Sequence, residues 1–338
     1  MKAAVVILNW NGRTFLEQFL PTVIKYSKDL AEVIVADNAS GDNSVAYLQE
    51  YFPDIRIIRN ETNGGFAKGY NDALKHVEAE YYILLNSDIE VTPHWLEPVL
   101  ALMDSDKSIA ACQPKILSYH EKNKFEYAGA AGGFIDKFGY PFCRGRLFLS
   151  MEEDHGQYDD ITEVFWATGA CMFVRSEYYH HYGGLDEDFF AHMEEIDFCW
   201  RMKNHGFKIM YCPESVIYHI GGGTLPKSSS QKTYLNFRNN FTLLYKNLPA
   251  GRIVPVFAFR MILDGIAALK FLLDGGFKDF IAVTQAHFSF YRRFFTIRKK
   301  RSRQPHRKVS MIYYSSIVKD YYLLKKKKFS ELDLKKIH

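Results

Sequence analysis

Short apolar segments alternate with helical segments over the first 85 residues, and this alternation restricts the fold more than any other feature. Strands are predicted at Ala3–Asn9, Glu32–Asp37, Ile55–Arg59 and Tyr81–Leu85. Helical spacing occurs between them, at Arg13–Tyr26, Ser44–Tyr51 and Gly69–Val77. Strands that alternate with helices form βαβ units, in which helices cover both faces of a parallel sheet. We therefore predict an α/β fold with a Rossmann-like, mainly parallel central sheet.

Each of the four predicted strands ends in short polar residues. The endings read NWN at 9–11, DNAS at 37–40, NETN at 60–63 and NSD at 86–88. Ligands of open α/β sheets bind beyond the carboxyl ends of the strands, so these endings are expected to meet at one site. Asn and Asp also form turns and helix caps, and those roles explain any single ending at least as well. Four consecutive polar endings favour a binding site.

A glycine-rich turn, NGGFAKGYN at 63–71, opens the helix that follows the third strand. Glycines let the backbone approach a ligand closely, and a helix N-terminus attracts an anion such as phosphate. The pattern matches neither GxGxxG nor a P-loop, so by itself it is a weak indication of nucleotide binding. Since no GxxxxGK[ST] occurs nearby, an ATPase is not indicated.

Asp88 directly follows the most apolar of these strands. An ionised carboxylate is costly at such a position unless it is paired, and a divalent ion, Mg²⁺ or Mn²⁺, is one suitable partner. The alternative is an Asx turn that caps a helix expected at His94–Met103.

In combination, ILNWN, VADNASGDNS, NGGFAKGYN and LLNSD resemble, in order and spacing, the motifs of family 2 glycosyltransferases, the inverting enzymes with the GT-A fold. The resemblance extends from about Ala3 to about Leu248 and is nearest to rhamnosyltransferase-type enzymes of bacterial surface polysaccharide synthesis. It implies transfer of a sugar from a nucleotide-sugar donor to a hydroxyl of a glycan, which is often lipid-linked.

The resemblance also implies roles for single residues. Asp37 would meet the N3–H of a uracil or thymine base, so UDP- and dTDP-sugars are equally suitable donors. Asn86-Ser87-Asp88 stands at the DxD-type motif, so Asp88 would bind the metal as the only carboxylate of that motif. The other residues expected to bind the nucleotide sugar are Asn9, Asn11, Asn38, Asn63, Gly64, Gly65, Asn86 and Ser87. A lone histidine is more often structural, but the family's HxxG pattern implies that His219 contacts metal or phosphate.

The segment EVFWATGACMFVRSE at 163–177 reads as an apolar strand interrupted by small residues. Gly169 lies in the interruption, where a sugar or acceptor could approach the backbone. Trp166 is an acceptor-binding candidate because its ring could stack on a sugar, although packing in the core explains it equally well.

A helix is predicted from Glu194 to Asn204, with three acids in its first turn. Acids at that position complement the helix dipole, which accounts for one or two of them. An inverting transfer also needs a carboxylate to accept the proton of the acceptor hydroxyl. The resemblance of EExD to the family's motif puts Glu195 on the base position, usually an Asp, and leaves Glu194 and Asp197 as further candidates. The helix start is expected to keep this base ionised at neutral pH.

The charge of the chain is unevenly distributed. From Arg292 onward, 16 Lys and Arg face three acids, a net +13, so an overall +4 leaves −9 for residues 1–291. A basic tail on an acidic body indicates an anionic surface as partner. Five cysteines without a CxxC pair fit free thiols in a reducing cytosol. We therefore expect a cytoplasmic protein, peripheral on the cytoplasmic face of the inner membrane.

The region 253–280 is strongly apolar, yet it contains no uncharged stretch near the about 20 residues that a spanning helix needs. Five of its charged residues lie within one arc of roughly 120° of a helix. They are Arg260, Asp264, Lys270, Asp274 and Lys278. The opposite, apolar face is expected either to pack on the catalytic domain or to lie in a membrane interface.

The sequence thus predicts a GT-A catalytic domain at 1–248, with a nucleotide-sugar half at about 1–115 and an acceptor half at about 116–248. A helical, amphipathic and basic extension follows at 249–338. One alternative is a non-catalytic nucleotide-sugar-binding relative, which the acids of EExD argue against. Another is a nucleic-acid-binding protein, which the −9 body argues against, so no nucleic-acid partner is expected. The transferred sugar, the acceptor and the oligomeric state stay open.

Overall fold

The computed structural model describes residues 1–221 and 229–338. The strands of these residues are β1 (Ala3–Asn9), β2 (Ala31–Asp37), β3 (Arg56–Arg59), β4 (Tyr81–Asn86), β5 (Ile89–Val91), β6 (Ile109–Ser118), β7 (Gly133–Asp136), β8 (Pro141–Cys143), β9 (Arg146–Leu147), β10 (Ser150–Met151), β11 (Thr162–Val164), β12 (Cys171–Arg175), β13 (Lys208–His219) and β14 (Ile312–Tyr313). The α-helices are α1 (Arg13–Ser27), α2 (Ser44–Tyr51), α3 (Gly65–Leu74), α4 (Glu97–Ser105), α5 (Ser176–His181), α6 (Glu194–Asn204), α7 (Ser230–Asn247), α8 (Ala250–Leu273), α9 (Phe277–Arg292) and α10 (Phe294–Arg301). Short helical turns occur at Glu187–Phe189, Lys319–Leu323, Phe329–Glu331 and Leu334–Lys336.

The central sheet confirms the predicted α/β architecture. Its strand order is β11-β13-β6-β12-β4-β1-β2-β3, and β5 pairs with β13. The pairs β1 with β2, β1 with β4, β2 with β3 and β6 with β13 are parallel, while β12 runs antiparallel between β4 and β6. Side chains of β1 alternate between two apolar cores: Ala4 and Val6 face one core, and Val5 and Ile7 face the other. Because both faces are buried, the strand is apolar throughout.

The strand register places the polar strand ends side by side. Asn9 is the β-partner of Asp37, and Leu8 is the partner of Asn86. On the other side of the sheet, the end of β13 pairs with β5, so that His219 is opposite Ile89. The polar endings of β1, β2 and β4 and the end of β13 therefore lie at one edge, as expected for parallel strands.

Two helix starts differ from the prediction. The helix α3 begins at Gly65 rather than Gly69, because the Asn63 side chain accepts the Gly65 N–H at 2.9 Å and closes the turn earlier. The helix α4 begins at Glu97 rather than His94, because His94 has a φ of 60°, which a right-handed helix excludes.

The end of the chain returns to the body of the protein. The strand β14 adds to the smaller sheet, whose order is β10-β9-β8-β7-β14. Tyr313, Ile317 and Phe329 are buried in the same apolar core as Phe134 and Phe142. The segment that follows α10 is therefore packed on the residues before 248.

The helix α8 has the reverse of the burial that its pattern leads one to expect. Arg260 and Asp264 are 2% and 0% exposed, whereas Val254 and Leu273 are 76% and 78% exposed. Arg260 Nη2 donates to Asp264 Oδ1 at 3.1 Å, and Arg260 Nη1 donates to the Phe138 carbonyl at 3.0 Å. The inner face of α8 holds this ion pair together with Val256 and Ala268, so most of the large apolar side chains do not pack on the catalytic domain, contrary to one of the two expected arrangements.

The predicted segment 253–280 is two helices rather than one. The helix α8 ends at Leu273, and Gly275 follows with a φ of 81°, a conformation that ends helices and that glycine adopts readily. Lys278 therefore belongs to α9. Among the helices of 1–221 and 229–338, none is long and apolar enough to cross a membrane.

We predict that Asp264→Ala lowers the free energy of unfolding by about 3–5 kcal/mol, because it leaves the buried Arg260 charge without a partner. The double replacement Arg260→Met with Asp264→Leu should restore most of that loss, since apolar side chains of similar volume replace the pair. Urea unfolding followed by circular dichroism measures both. A loss below about 1 kcal/mol for Asp264→Ala, the size expected of an exposed pair, would contradict the inverted orientation of α8.

Candidate active site

Asp37 and Asn9 meet at the ends of β2 and β1. Asn9 Nδ2 donates to Asp37 Oδ1 at 3.2 Å and to Ser40 Oγ at 3.1 Å, and the Ser40 N–H donates to Asp37 Oδ2 at 3.1 Å. Asp37 is buried, and within the described residues it has no cationic partner. An ionised carboxylate accepts about four hydrogen bonds, so Asp37 keeps lone pairs for a ligand donor. Asn9 Oδ1 is also buried without a hydrogen-bond partner there.

A second group joins the end of β2 to the start of α3. Asn38 Nδ2 donates to Asn63 Oδ1 at 2.9 Å and to the Gly65 carbonyl at 3.1 Å. Gly65 has a φ of 81°, and a Cβ there would lie 2.4 Å from the Phe190 carbonyl oxygen, so only glycine fits. That same carbonyl accepts the Phe66 N–H at 2.7 Å. A main-chain oxygen thus occupies the start of α3, which corrects the expectation that this helix end holds a phosphate.

The remaining strand-end candidates lie in neighbouring turns. Asn11 has a φ of 53°, and its Oδ1 accepts the N–H groups of Gly41 and Asp42 at 2.7 and 3.2 Å, which ties the loop after β1 to the loop after β2. Asn86 is half-buried at the end of β4. Ser87 Oγ lies close to the loop after β1, since a Cβ on Gly12 would be 3.2 Å from it.

Gly64 directly precedes α3. A Cβ at this position would lie 2.7 Å from two carbons of the Lys68 side chain, so glycine lets that lysine lie over the turn. The structure gives Gly64 this packing role.

Asp88, His219 and Glu126 form a buried hydrogen-bonded chain. His219 Nε2 lies 3.1 Å from Asp88 Oδ1, and His219 Nδ1 lies 3.0 Å from Glu126 Oε2. Burial alone would lower the pKa of His219, but the two carboxylates raise it to about 10. Burial alone would raise the pKa values of Asp88 and Glu126, but the His219 contact outweighs it and lowers both. The sequence around Glu126, FEYAG, contains no motif that indicates this role.

The chemistry of Asp88 and His219 suits a divalent cation. A carboxylate oxygen and a neutral imidazole nitrogen are ligands that Mn²⁺ accepts. His219, which the two carboxylates hold protonated, would therefore release its Nε2 proton on binding the ion. Glu126 is the outer partner that commonly orients a ligating histidine. In the part of the chain that the structure describes, no three His, Cys, Asp or Glu side chains are arranged to hold a metal ion by themselves. Other ligands would therefore have to come from a bound substrate. Gly222 of the HxxG pattern lies outside the described residues.

The predicted helix at Glu194–Asn204 is confirmed, and a strained loop leads into it. Phe190, His192 and Met193 have φ values of 65°, 70° and 75°, in the left-handed region that non-glycine residues rarely adopt. Asn239 of α7 holds this loop, since its Nδ2 lies 2.8–2.9 Å from the carbonyl oxygens of Phe189, Ala191 and His192. Asn239 is not among the residues predicted from the sequence. The only local feature that marks it is the polar pair Asn239-Asn240 within a helical segment.

Glu194 and Glu195 start α6, where Glu194 is buried and Glu195 is half-buried. Burial raises the pKa of Glu195 to about 7 and outweighs the N–H groups of the helix start. Burial and the neighbouring Glu195 charge raise the pKa of Glu194 well above its usual range. The expectation that the helix start keeps the base fully ionised at neutral pH is therefore wrong. One oxygen of each carboxyl, Oε2, is buried with no hydrogen-bond partner in 1–221 and 229–338, which indicates a ligand.

Asp197 is separated from these two acids by its partners. Its Oδ2 accepts from Arg201 Nε at 2.9 Å and from Lys246 Nζ at 2.8 Å, and its Oδ1 accepts from Asn247 Nδ2 at 2.9 Å. The side chain is fully buried. This carboxylate links α6 to α7 and is not available to a substrate.

The two acceptor-binding candidates pack inside the protein. Trp166 Nε1 donates to the Phe134 carbonyl at 2.9 Å, and its ring lies over Gly133, where a Cβ would come within 2.1 Å of it. Trp166 therefore takes the core-packing role rather than stacking on a sugar. A Cβ on Gly169 would lie 2.9 Å from Phe66 Cζ, so the small residue makes room for that ring.

Comparisons with known proteins identify the family and the fold of this chain. The family model described as glycosyl transferase family 2 matches residues 4–183. The low-salt glycan biosynthesis hexosyltransferase Agl10 of Haloferax volcanii is 24% identical over 248 residues, which cover 70% of this chain and 74% of the relative. The N-acetylglucosaminyl-diphospho-decaprenol L-rhamnosyltransferase of Mycobacterium tuberculosis is 23% identical over 230 residues, 64% of this chain and 75% of the relative.

Two solved structures share the architecture. GalNAc-T7 with UDP, GalNAc and Mn²⁺ superposes with a TM-score of 0.57 at 18% identity, over 74% of this chain and 48% of that chain. The mannosyltransferase PcManGT from Pyrobaculum calidifontis, with GDP-Man and Mn²⁺, gives a TM-score of 0.51 at 15% identity, over 89% and 84% of the two chains. The fold is the GT-A fold. Since the family model matches more than half of the residues of this chain, the chain belongs to glycosyl transferase family 2.

Proposed function

We propose that this glycosyltransferase moves a hexose from a UDP- or dTDP-sugar to a hydroxyl of a lipid-linked glycan, with inversion, at an anionic membrane surface. The observation that carries the catalytic part is the carboxyl of Glu195, which has a pKa of about 7 and a buried oxygen without a partner in the described residues. A non-catalytic relative would not need such a group beside the donor edge of the sheet.

The residues at the ends of β1 and β2 would bind the nucleotide of the donor. Asp37 keeps lone pairs for the N3–H of a uracil or thymine base, and the neighbouring Asn9 oxygen is a second acceptor. The Asn38–Asn63–Gly65 bonds hold the adjacent turn rigid. A preorganised site of this kind binds the nucleotide without ordering its own loops on arrival.

Asp88 and His219 would hold a divalent metal, Mg²⁺ or Mn²⁺, against the donor diphosphate. Mn²⁺ accompanies both the GalNAc-T7 and the PcManGT structures, which supports a divalent ion here. Such an ion neutralises charge on the leaving nucleoside diphosphate. Glu126 fixes the orientation of His219 so that Nε2 points to Asp88.

Glu195 is the general base. It accepts the proton of the acceptor hydroxyl while that oxygen bonds to the anomeric carbon, and the bond from this carbon to the diphosphate oxygen breaks with its electron pair on the diphosphate. A single displacement of this kind inverts the anomeric centre. A pKa near the working pH suits proton transfer, because the base is then both ionised and able to hold the proton. Burial and the Glu195 charge also raise the pKa of the neighbouring Glu194 well above its usual range.

The membrane part rests on the outer surface of α8 and α9. Large apolar side chains there are exposed: Val254, Phe259, Met261, Ile262, Ile266, Leu269, Leu272, Leu273, Phe277, Ile281, Phe288 and Tyr291. A continuous apolar surface of this size marks an interaction site, and basic residues beside it favour an anionic lipid interface. Arg292, Arg298 and Lys299 are exposed there, and each contributes about 1 kcal/mol near an anionic leaflet.

Two further observations support the setting. The Mycobacterium tuberculosis relative is named for a decaprenol-linked acceptor, which is a membrane lipid. All five cysteines are buried and free, as in proteins of a reducing compartment, which agrees with the cytoplasmic face.

The first test of function is Glu195→Gln, which keeps the shape of the side chain and removes the proton acceptor. Turnover should fall at least about 10²-fold with unchanged donor affinity, the usual size of a general-base contribution. In the wild type, kcat/KM should fall as the pH drops below about 7, because Glu195 then binds a proton. Initial rates of sugar transfer across pH 5–9, with calorimetry for donor binding, measure both. Normal turnover by Glu195→Gln, together with loss in Glu194→Gln, would move the base by one residue.

A second test addresses the metal site. Asp88→Ala should abolish transfer and remove the part of UDP or dTDP affinity that depends on Mn²⁺, because one oxygen ligand is lost. Calorimetric titrations with and without Mn²⁺ measure this, with exposed Glu121→Ala as the matched control. Unchanged Mn²⁺-dependent affinity in Asp88→Ala would refute the assignment.

A third test addresses the membrane. The wild-type chain should co-float with phosphatidylglycerol vesicles at low salt and be released as the salt concentration rises. Ile266→Glu with Leu269→Glu should abolish flotation without loss of stability, because both side chains are more than half exposed. Tyr51→Glu with Ile161→Glu, exposed residues outside α8 and α9, is the charge-matched control. Equal flotation of the two double variants would exclude α8 as the lipid-contacting surface.

A further inference from the structure

A cavity of about 390 Å³ lies outside the candidate active site, between the start of α8, the turn after β7 and the segment after α10. Trp200, Leu244 and Leu248 contribute apolar wall. None of Asp37, Asp88 and Glu195 lines it. The cavity therefore has no part in the transfer chemistry proposed above.

Four cationic side chains line this cavity: Lys137, Arg252, Arg307 and Lys308. Within 1–221 and 229–338, none of the four pairs with a carboxylate, and the remaining residues, 222–228, contain no Asp or Glu. Like charges gathered in one place repel one another, so the cluster raises the free energy of the empty site. A bound anion would relieve that repulsion.

The acid that lines the cavity, Asp136, does not form an ion pair with any of the four cations. Asp136 is 2% exposed, and its oxygens accept the main-chain N–H groups of Phe138, Tyr140 and Ile317 at 2.9, 2.9 and 3.0 Å. These bonds hold the turn between β7 and β8 and the segment after β14. The carboxylate thus builds the wall and leaves the four cations unpaired.

Two of the cations face the same aromatic ring. Arg252 Cζ and Lys308 Nζ each lie 5.9 Å from the centre of the Tyr314 ring. Arg252 comes from the start of α8 and Lys308 from the segment after α10, so two distant parts of the chain converge here. The fork of an arginine matches the oxygens of a phosphate, and a lysine adds a point charge.

We propose that this cavity binds a phosphate ester, with Arg252 and Lys308 as its principal donors. The volume accommodates a small phosphorylated group such as glycerol phosphate. The phosphate ester is either the headgroup of a lipid or a free phosphorylated molecule, and both present the same oxygens.

The test uses the full chain and calorimetry at low salt with sn-glycerol 3-phosphate, dihexanoyl phosphatidylglycerol and dihexanoyl phosphatidylcholine. Arg252→Gln with Lys308→Gln should weaken binding of the anionic ligands at least about tenfold, because charge-assisted hydrogen bonds are lost. Arg298→Gln with Lys299→Gln, which removes two exposed cations of α10, is the matched control and should bind as the wild type does. The ligand-free Arg252→Gln with Lys308→Gln variant should melt no lower than the wild type, because the substitutions relieve like-charge repulsion. The ligand-free control should melt as the wild type does, since neither Arg298 nor Lys299 has a carboxylate partner in the described chain.

The pattern of binding identifies the source of the phosphate. If only phosphatidylglycerol binds, and its binding is lost in Arg252→Gln with Lys308→Gln, the site recognises a lipid headgroup. If glycerol 3-phosphate binds with similar affinity, the site recognises the phosphate group itself. Equal weakening in the two double variants would show unspecific charge attraction and overturn the proposal. So would wild-type binding of every anionic ligand weaker than about 1 mM.

Discussion

The parallel pairing of β1 with β2 and β4 is the constraint on which the site depends. It sets Asn9 beside Asp37 and brings Asn86 to the same edge, so that three loops start from neighbouring points. A shift of one residue in the pairing would turn every side chain of β1 to the opposite face of the sheet. Val5 and Val6 would then each enter the apolar core that the other occupies. The two buried cores resist that slip, and the functional register is therefore maintained by apolar packing rather than by the polar residues themselves.

Burial affects the pKa values of the carboxyl groups both around His219 and at the start of α6. At Asp88 and Glu126 the contact with His219 outweighs burial, and the carboxyl pKa values fall. At Glu195 burial prevails over the main-chain hydrogen bonds and raises the pKa to about 7. Buried carboxyl groups thus differ in their pKa because the His219 contact outweighs burial only at the first site.

The helix α7, which lies within the predicted catalytic domain at 1–248, shapes the site. Asn239 of α7 holds the strained loop before Glu194, and Lys246 of the same helix pairs with Asp197. The helix α8 turns its Arg260–Asp264 pair inward and many of its large apolar side chains outward. An exposed apolar surface of this extent is typical of interaction sites.

Local patterns in the sequence were enough to predict the α/β fold, the strands β1, β2 and β4, the start of α6 at Glu194, and the meeting of polar strand ends at one edge. Each of these follows from short-range periodicity or from the shared direction of parallel strands. Only the tertiary structure showed Glu126 behind His219, Asn239 behind the loop before Glu194, Asp197 in its ion pairs and Trp166 in the core. Apart from Arg201, which follows Asp197 by four residues, their partners lie tens of residues away in sequence, where no local spacing records them. The orientation of α8 belongs to the same class, because periodicity reveals that a helix has a polar and an apolar face, whereas packing alone decides which face meets the protein.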